Sequence, residues 1–136
     1  MMADRRELLA GCRVLIVEDE YFLAADLEAE LKSCGAEIVG PIGNLSEAVK
    51  QVSRDEFDVA LVDVNLHGEP AYSLADELVS NEVPFCFVTG YAAKILPTRF
   101  RQIKVWSKPF EVGDLVDYVA ELCDKTVRGK LAHVTA

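Results

Sequence analysis

A chain of 136 residues that is 51% hydrophobic and 27% charged reads as one domain with enough apolar material for a core of its own. Its formal net charge of -9 argues against a nucleic-acid-binding surface, and its apolar runs fall far short of a membrane span. Residues 1–11 read as an N-terminal extension in which Asp4, Arg5, Arg6 and Glu7 surround no apolar core, unlike a secretion signal, so the expected location is the cytoplasm. Cys12, Cys34, Cys86 and Cys123 stand singly, without metal-type pairing, and are expected to be reduced core residues.

Arg13 to Val17 is a buried strand that runs into Glu18-Asp19-Glu20. Leu23, Leu27, Leu31 and Cys34 then recur at helical spacing, and Gly35 stops the helix. Glu37 to Gly40 is a short strand closed by Gly40-Pro41. Asn44 suits the cap of a second helix with Glu47 at its third position and Leu45, Ala48, Val49 and Val52 inward. The run Phe57 to Asn65 is a strand buried on both faces that ends at a carboxylate, Asp63. Pro70 suits the first turn of a third helix, with Ala71, Leu74, Leu78 and Val79 inward.

Val83 to Val88 is the fourth strand, ending in Thr89-Gly90. Tyr91 to Arg101 should hold a fourth helix, short or mobile because Pro97 interrupts it. A fifth strand, Ile103 to Ser107, ends at Lys108-Pro109, and a last helix carries Val112, Leu115, Val116, Val119, Leu122 and Cys123 inward. Lys125 to Ala136 is a polar tail, which leaves residues 12–124 as the domain proper and too little chain for a helix-turn-helix. Between Ala92 and Phe110 lie five basic residues and no acid, a basic patch on an otherwise acidic body.

Strand and helix alternating five times imply an α/β fold: a doubly wound, five-stranded parallel sheet with helices on both faces. Ligands of such sheets bind beyond the carboxyl ends of the strands. There this chain places Glu18 and Asp19, then Asp63, then Thr89, then Lys108, all on one side. Three crowded carboxylates repel unless a cation holds them ionised, and oxygen ligands suit a hard divalent ion such as Mg2+. The same ion would neutralise phosphoryl oxygens.

In these motifs, from Val14 to about Asp124, the chain resembles the receiver domain of bacterial two-component response regulators. The resemblance implies the flavodoxin-like strand order 2-1-3-4-5. It implies that Asp63 is the phosphorylated aspartate, that Thr89 bonds the phosphoryl group, and that Lys108 pairs with it. Glu18 and Asp19 match the acidic pair, Asn65 the residue whose main-chain carbonyl completes the metal site, and Pro109 the proline that follows the lysine through a cis bond. Pro84 to Tyr91 resembles the signature of the FAT GUY receivers, with Val88 where alanine is usual. These are commonly single-domain regulators partnered with histidine kinases of the HWE and related classes.

Most receivers place an aromatic residue three positions before the lysine, and here Val105 stands there. Trp106 is adjacent, but strand alternation turns it to the opposite face. The expected function is that of a stand-alone phosphoacceptor, loaded by a histidine kinase or phosphotransfer protein, that turns over only its own aspartyl phosphate. Its signal would pass through Tyr91 to Lys104 to a downstream protein. The alternatives are an Asp-nucleophile phosphatase, which would need a second acid where Asn65 stands, and an unphosphorylated adaptor. His67 and His133 are expected at the surface, His67 beside the crevice.

Overall fold

The structure, a computed structural model, describes residues 4–54, 56–90 and 96–135, with side chains as far as residue 126. The strands are β1 (Arg13–Val17), β2 (Glu37–Ile42), β3 (Val59–Asp63), β4 (Asn65–Leu66), β5 (Glu69–Pro70), β6 (Phe85–Thr89) and β7 (Val105–Ser107). The helices are α1 (Tyr21–Ser33), α2 (Leu45–Arg54), α3 (Tyr72–Ser80) and α4 (Val112–Thr135). Among the described residues the main sheet is parallel throughout, in the order β2-β1-β3-β6-β7. This is the expected order 2-1-3-4-5, renumbered because β4 and β5 form a separate two-stranded hairpin.

The period-2 alternation of the central strands divides the core into two halves. Val14, Ile16, Val59, Leu61 and Cys86 face one side and pack against α1 and α4. Leu15, Val17, Ala60, Val62, Phe85 and Phe87 face the other and pack against α2 and α3. Every residue of β3 is buried, as its uninterrupted apolar run requires. Each such Leu, Ile, Val or Phe side chain taken from water contributes about 1.5–3 kcal/mol, so the two half-cores hold the strand ends in place.

The helix starts follow local chemistry. Asn44 Oδ1 accepts the backbone N–H of Glu47 at 2.9 Å, the expected cap of α2. Leu115, Val116, Val119, Leu122 and Cys123 of α4 are buried as their spacing predicts. Val49 and Val79, expected inward, are 36% and 52% exposed. Ala75, not Val79, completes the inner face of α3, since 74, 75 and 78 share one side of a helix.

Other differences have physical causes. Strand β2 continues past Gly40-Pro41 to Ile42, which an edge strand permits, and its pairing with β1 shifts register there. Gly40 has φ 95°, and a Cβ on it would lie 2.8 Å from the Ile16 carbonyl oxygen, so only glycine fits. Pro70 belongs to β5 rather than to α3, because His67 (φ 49°) and Gly68 (φ 85°) form a two-residue turn that folds β5 back on β4. Of the expected fourth helix, Tyr91 to Ile95 lie outside the described residues, and after Pro97 the chain makes one 3-10 turn, Thr98–Phe100.

Two expectations about the ends are corrected. Helix α4 runs on through the residues set apart as a polar tail. Cys12 and Cys123 are joined by a disulfide, and only Cys34 and Cys86 are free thiols among the described residues. Periodicity shows that all four cysteines face inward, but not that β1 and α4 bring two of them together across 111 residues. The N-terminal extension is also part of the fold, since Leu9 is 1% exposed and its N–H donates to the Cys34 carbonyl at 2.8 Å.

Candidate functional site

Strands β1, β3, β6 and β7 all end on one edge of the sheet, and the loops beyond them carry the predicted polar residues. Glu18 leaves the tip of β1 with its N–H donating to the Ile42 carbonyl at 2.9 Å, which turns its side chain into a buried position. The N–H of Glu20 donates to Glu18 Oε2 at 2.9 Å. Asp19 does not cap α1, whose cap position is Glu20. Its Oδ2 instead accepts the backbone N–H of His67 at 2.8 Å, tying the first loop to the β4–β5 hairpin.

Asp63 is the last residue of β3 and is 4% exposed. Its Oδ1 accepts the backbone N–H of Asn65 at 2.9 Å, and its Oδ2 accepts from Lys108 Nζ at 3.0 Å. Lys108 also lies 3.3 Å from Glu18 Oε1 and 3.7 Å from Glu20 Oε1. Thr89 is buried at the end of β6, and its carbonyl accepts the Lys108 N–H at 2.8 Å, which sets the lysine beside the threonine. The Lys108-Pro109 peptide is cis, as the resemblance implied. All six candidate residues thus share one region, with Asp19, Asp63, Asn65, His67 and Lys108 lining an open crevice. Glu20 was not singled out from the sequence, although it is the third acid of the run after β1.

The electrostatics follow from crowding. Burial, then the neighbouring Asp63, push the Glu18 carboxyl up to about 8, against the opposing pull of the Glu20 N–H and Lys108. Burial disfavours the Lys108 ammonium, but the hydrogen bond and charge of Asp63, with Glu18, outweigh it and raise the pKa. Carboxylate oxygens of Glu18, Asp19 and Asp63 lie within 4.8 Å of one another. Asn65 Oδ1 is buried without a hydrogen-bond partner among the described residues. An oxygen-only donor set of this kind fits a hard divalent cation with retained waters.

A parallel, doubly wound sheet whose carboxyl edge gathers acids, a hydroxyl and an ammonium places the chain among the flavodoxin-like α/β domains. The profile of the response regulator receiver domain matches residues 14–120 of the chain. The chain belongs to that family and is a receiver domain of two-component signalling. It is 32% identical over 108 residues to the transcriptional regulatory protein PdtaR of Mycobacterium tuberculosis, covering 76% of this chain and 53% of that one. To the phyllosphere-induced regulator PhyR of Methylorubrum extorquens it is 29% identical over 136 residues, covering 94% and 51%. It therefore spans about half the length of these curated relatives.

Among solved structures, the BeF3-activated conformation of SdrG from Pseudomonas melonis Fr1 superposes with a TM-score of 0.69 at 33% identity, covering 84% of this chain and 98% of that one. PhyR from Brucella abortus superposes with a TM-score of 0.76 at 25% identity, covering 93% and 54%. No helix among the described residues is long and apolar enough to cross a membrane.

Proposed function

We propose that this domain accepts a phosphoryl group on Asp63 from the phosphohistidine of a histidine kinase or phosphotransfer protein, in the cytoplasm, and signals through its surface to a downstream protein. The observation that carries this reading is the Lys108 ammonium 3.0 Å from Asp63 Oδ2, with two further acids at the same point. Asp63 would supply the oxygen that bonds phosphorus as the phosphorus–nitrogen bond to the donor imidazole breaks. Lys108, already at that oxygen, would follow the negative charge onto the phosphoryl group, and Thr89 would donate its hydroxyl to a second phosphoryl oxygen.

Glu18, Asp19 and Asp63, with the Asn65 carbonyl, would hold Mg2+. When bound, Mg2+ would neutralise the remaining phosphoryl charge. Water reaching the open crevice would return the domain to its starting state, so turnover is confined to its own aspartyl phosphate. Asn65 offers an amide where a phosphatase of the Asp-x-Asp type needs an acid, which disfavours that chemistry. The likeness of Pro84 to Tyr91 to the FAT GUY signature is what supports a stand-alone role, with an HWE-class kinase as donor.

The contact for that donor would include Tyr21 and Phe22, which are 77% and 79% exposed at the start of α1, beside the acids of the crevice. Incubation with Mg2+ and a small phosphodonor, followed by mass spectrometry, tests the reading. One phosphate on Asp63 is expected, absent in Asp63→Asn and absent when the metal is chelated. Phosphate elsewhere, or none with metal present, would defeat it.

A further inference from the structure

All four cysteines lie in the half-core between the sheet and helices α1 and α4. Cys12, immediately before β1, is bonded to Cys123 of α4, with their Cα atoms 5.9 Å apart. Strand β1 leads from Cys12 toward Glu18, so this bond sits at the edge of the sheet opposite the crevice. It fastens a short N-terminal strap, residues 4–12, that turns across this end of the domain. The strap is also held by Leu8 and Leu9 in the core, the Leu9 N–H on the Cys34 carbonyl, the Glu37 N–H on the Cys12 carbonyl at 2.9 Å, and an Arg5–Asp117 ion pair of 3.0 Å. That ion pair is 60% and 57% exposed and contributes little to holding the strap.

The other two thiols make poor partners. Cys34 and Cys86 are both buried, and burial pushes the Cys86 thiol up to about 12, so it holds its proton at neutral pH. Among the described residues this leaves a single bonded pair, placed where one short segment crosses a helix.

We propose that Cys12 and Cys123 are a redox-operated latch, which when oxidised fastens the strap and the start of β1 to α4, and which a thiol–disulfide couple of the glutathione or thioredoxin class opens and closes. The inference rests on the cytoplasmic reading above, because disulfides in that compartment are characteristically transient or redox-sensing. In closing, a thiolate of one cysteine attacks a disulfide of the couple and releases one thiol. The second cysteine then attacks the mixed disulfide and releases the other, so two electrons and two protons pass from the protein to the couple. Opening is the reverse. Cys12 is 0% and Cys123 4% exposed, so exchange in either direction requires the strap to lift first.

The test equilibrates the full chain without oxygen in glutathione buffers of graded oxidation, then alkylates it in denaturant and maps the cysteines by mass spectrometry. A two-electron transition is expected in which only Cys12 and Cys123 lose and gain alkylation, while Cys34 and Cys86 are alkylated throughout. Reduction should lower Tm by on the order of 10 °C, given the long loop the bond closes. It should also weaken amide protection in residues 5–12 and 112–124. Cys123→Ala should have a Tm indifferent to the buffer, and if that variant does not fold, the wild-type titration still decides.

Cys12 and Cys123 alkylated across the whole range, or a bond that persists in the most reducing buffer, would overturn the latch. Phosphate uptake on Asp63 should be the same in both redox states, since the bond lies at the far edge of the sheet. Absence of uptake in both would count against the phosphoacceptor reading and leave the latch standing.

Discussion

The Glu18 carboxyl and the Lys108 ammonium lie 3.3 Å apart, yet burial and the adjacent Asp63 push the Glu18 pKa up to about 8. At neutral pH the metal-free site therefore keeps a proton on Glu18, and a divalent cation must displace it. Mg2+ affinity is expected to rise with pH between about 6 and 8, by up to tenfold per unit, and to level off above. Calorimetry in buffers of different ionisation enthalpy should register close to one proton released per metal at pH 7. Glu18→Gln should bind more weakly and release none; proton release unchanged in that variant would remove Glu18 from the site.

The same group gives stability a pH dependence. Glu18 is protonated in both folded and unfolded chains below its ordinary value of 4.5. Between there and about 8 the unfolded carboxyl ionises while the folded one keeps its proton, so its contribution to the folded state is lost as pH rises. Metal-free protein should show a Tm that falls from pH 5 to pH 8 more steeply than that of Glu18→Gln. Millimolar Mg2+ should restore the wild-type Tm at the upper end of that range.

The parallel sheet and its site were largely legible because both depend on pattern. Unbroken apolar runs give buried strands, and a charged residue at the end of each run marks a shared edge whatever the loops do. What escaped were features decided by a neighbour rather than by local pattern. The β4–β5 hairpin needs His67 in a left-handed conformation, which its sequence does not advertise. Val79 continues the apolar run of α3, but Leu74, Ala75 and Leu78 form the buried side and Val79 is 52% exposed, so the run of apolar residues alone does not fix which side faces in. The disulfide depends on where α4 crosses the start of β1, a relation no spacing encodes.

Lys108→Ala separates two tasks of one side chain. The ammonium occupies the space between Asp63 and Glu18 before any cation arrives, so its removal should tighten Mg2+ binding several-fold by relieving charge competition. The same change should slow phosphate uptake on Asp63 by about 10²-fold, the usual effect of losing one preorganised charge donor. Fluorescence of Trp106, the only tryptophan and two residues from the lysine, follows the first quantity, and mass spectrometry the second. Metal affinity and phosphate uptake falling together would mean that Lys108 holds the loop in shape instead.

Asp58 is a structural acid outside the crevice. It is 6% exposed and accepts from the Arg13 N–H at 2.9 Å and from Arg13 Nε and Nη2 at 3.2 and 3.1 Å, joining the starts of β1 and β3. Asp58→Ala removes a partner of a guanidinium that is itself 37% exposed and can be rehydrated, and should cost about 1–2 kcal/mol in denaturant unfolding. Mg2+ affinity of the remaining folded protein should be unchanged, because the pair sits at the edge opposite the site.

The missing aromatic at Val105 bears on how phosphorylation is read out. Val105 packs on the α2 and α3 side of the sheet, while Trp106 turns to the α4 side and meets Tyr118 at 6.0 Å, as alternation requires. The rings on the Val105 side include Phe85 and Phe87, 5.4 Å apart, and Phe100, 5.5 Å from Phe87, with Tyr72 6.1 Å from Phe100. Phe100 closes the 3-10 turn that Arg99 ties to Asp76 at 2.8 Å. A pull on Thr89 would therefore reach Phe100 through Phe87, two residues away on the same strand. With Mg2+ and beryllofluoride, amide exchange in residues 96–104 should change several-fold, and Phe100→Leu should blunt that change while leaving phosphate uptake on Asp63 intact. Identical exchange with and without the phosphoryl mimic would rule out this segment as the reporter.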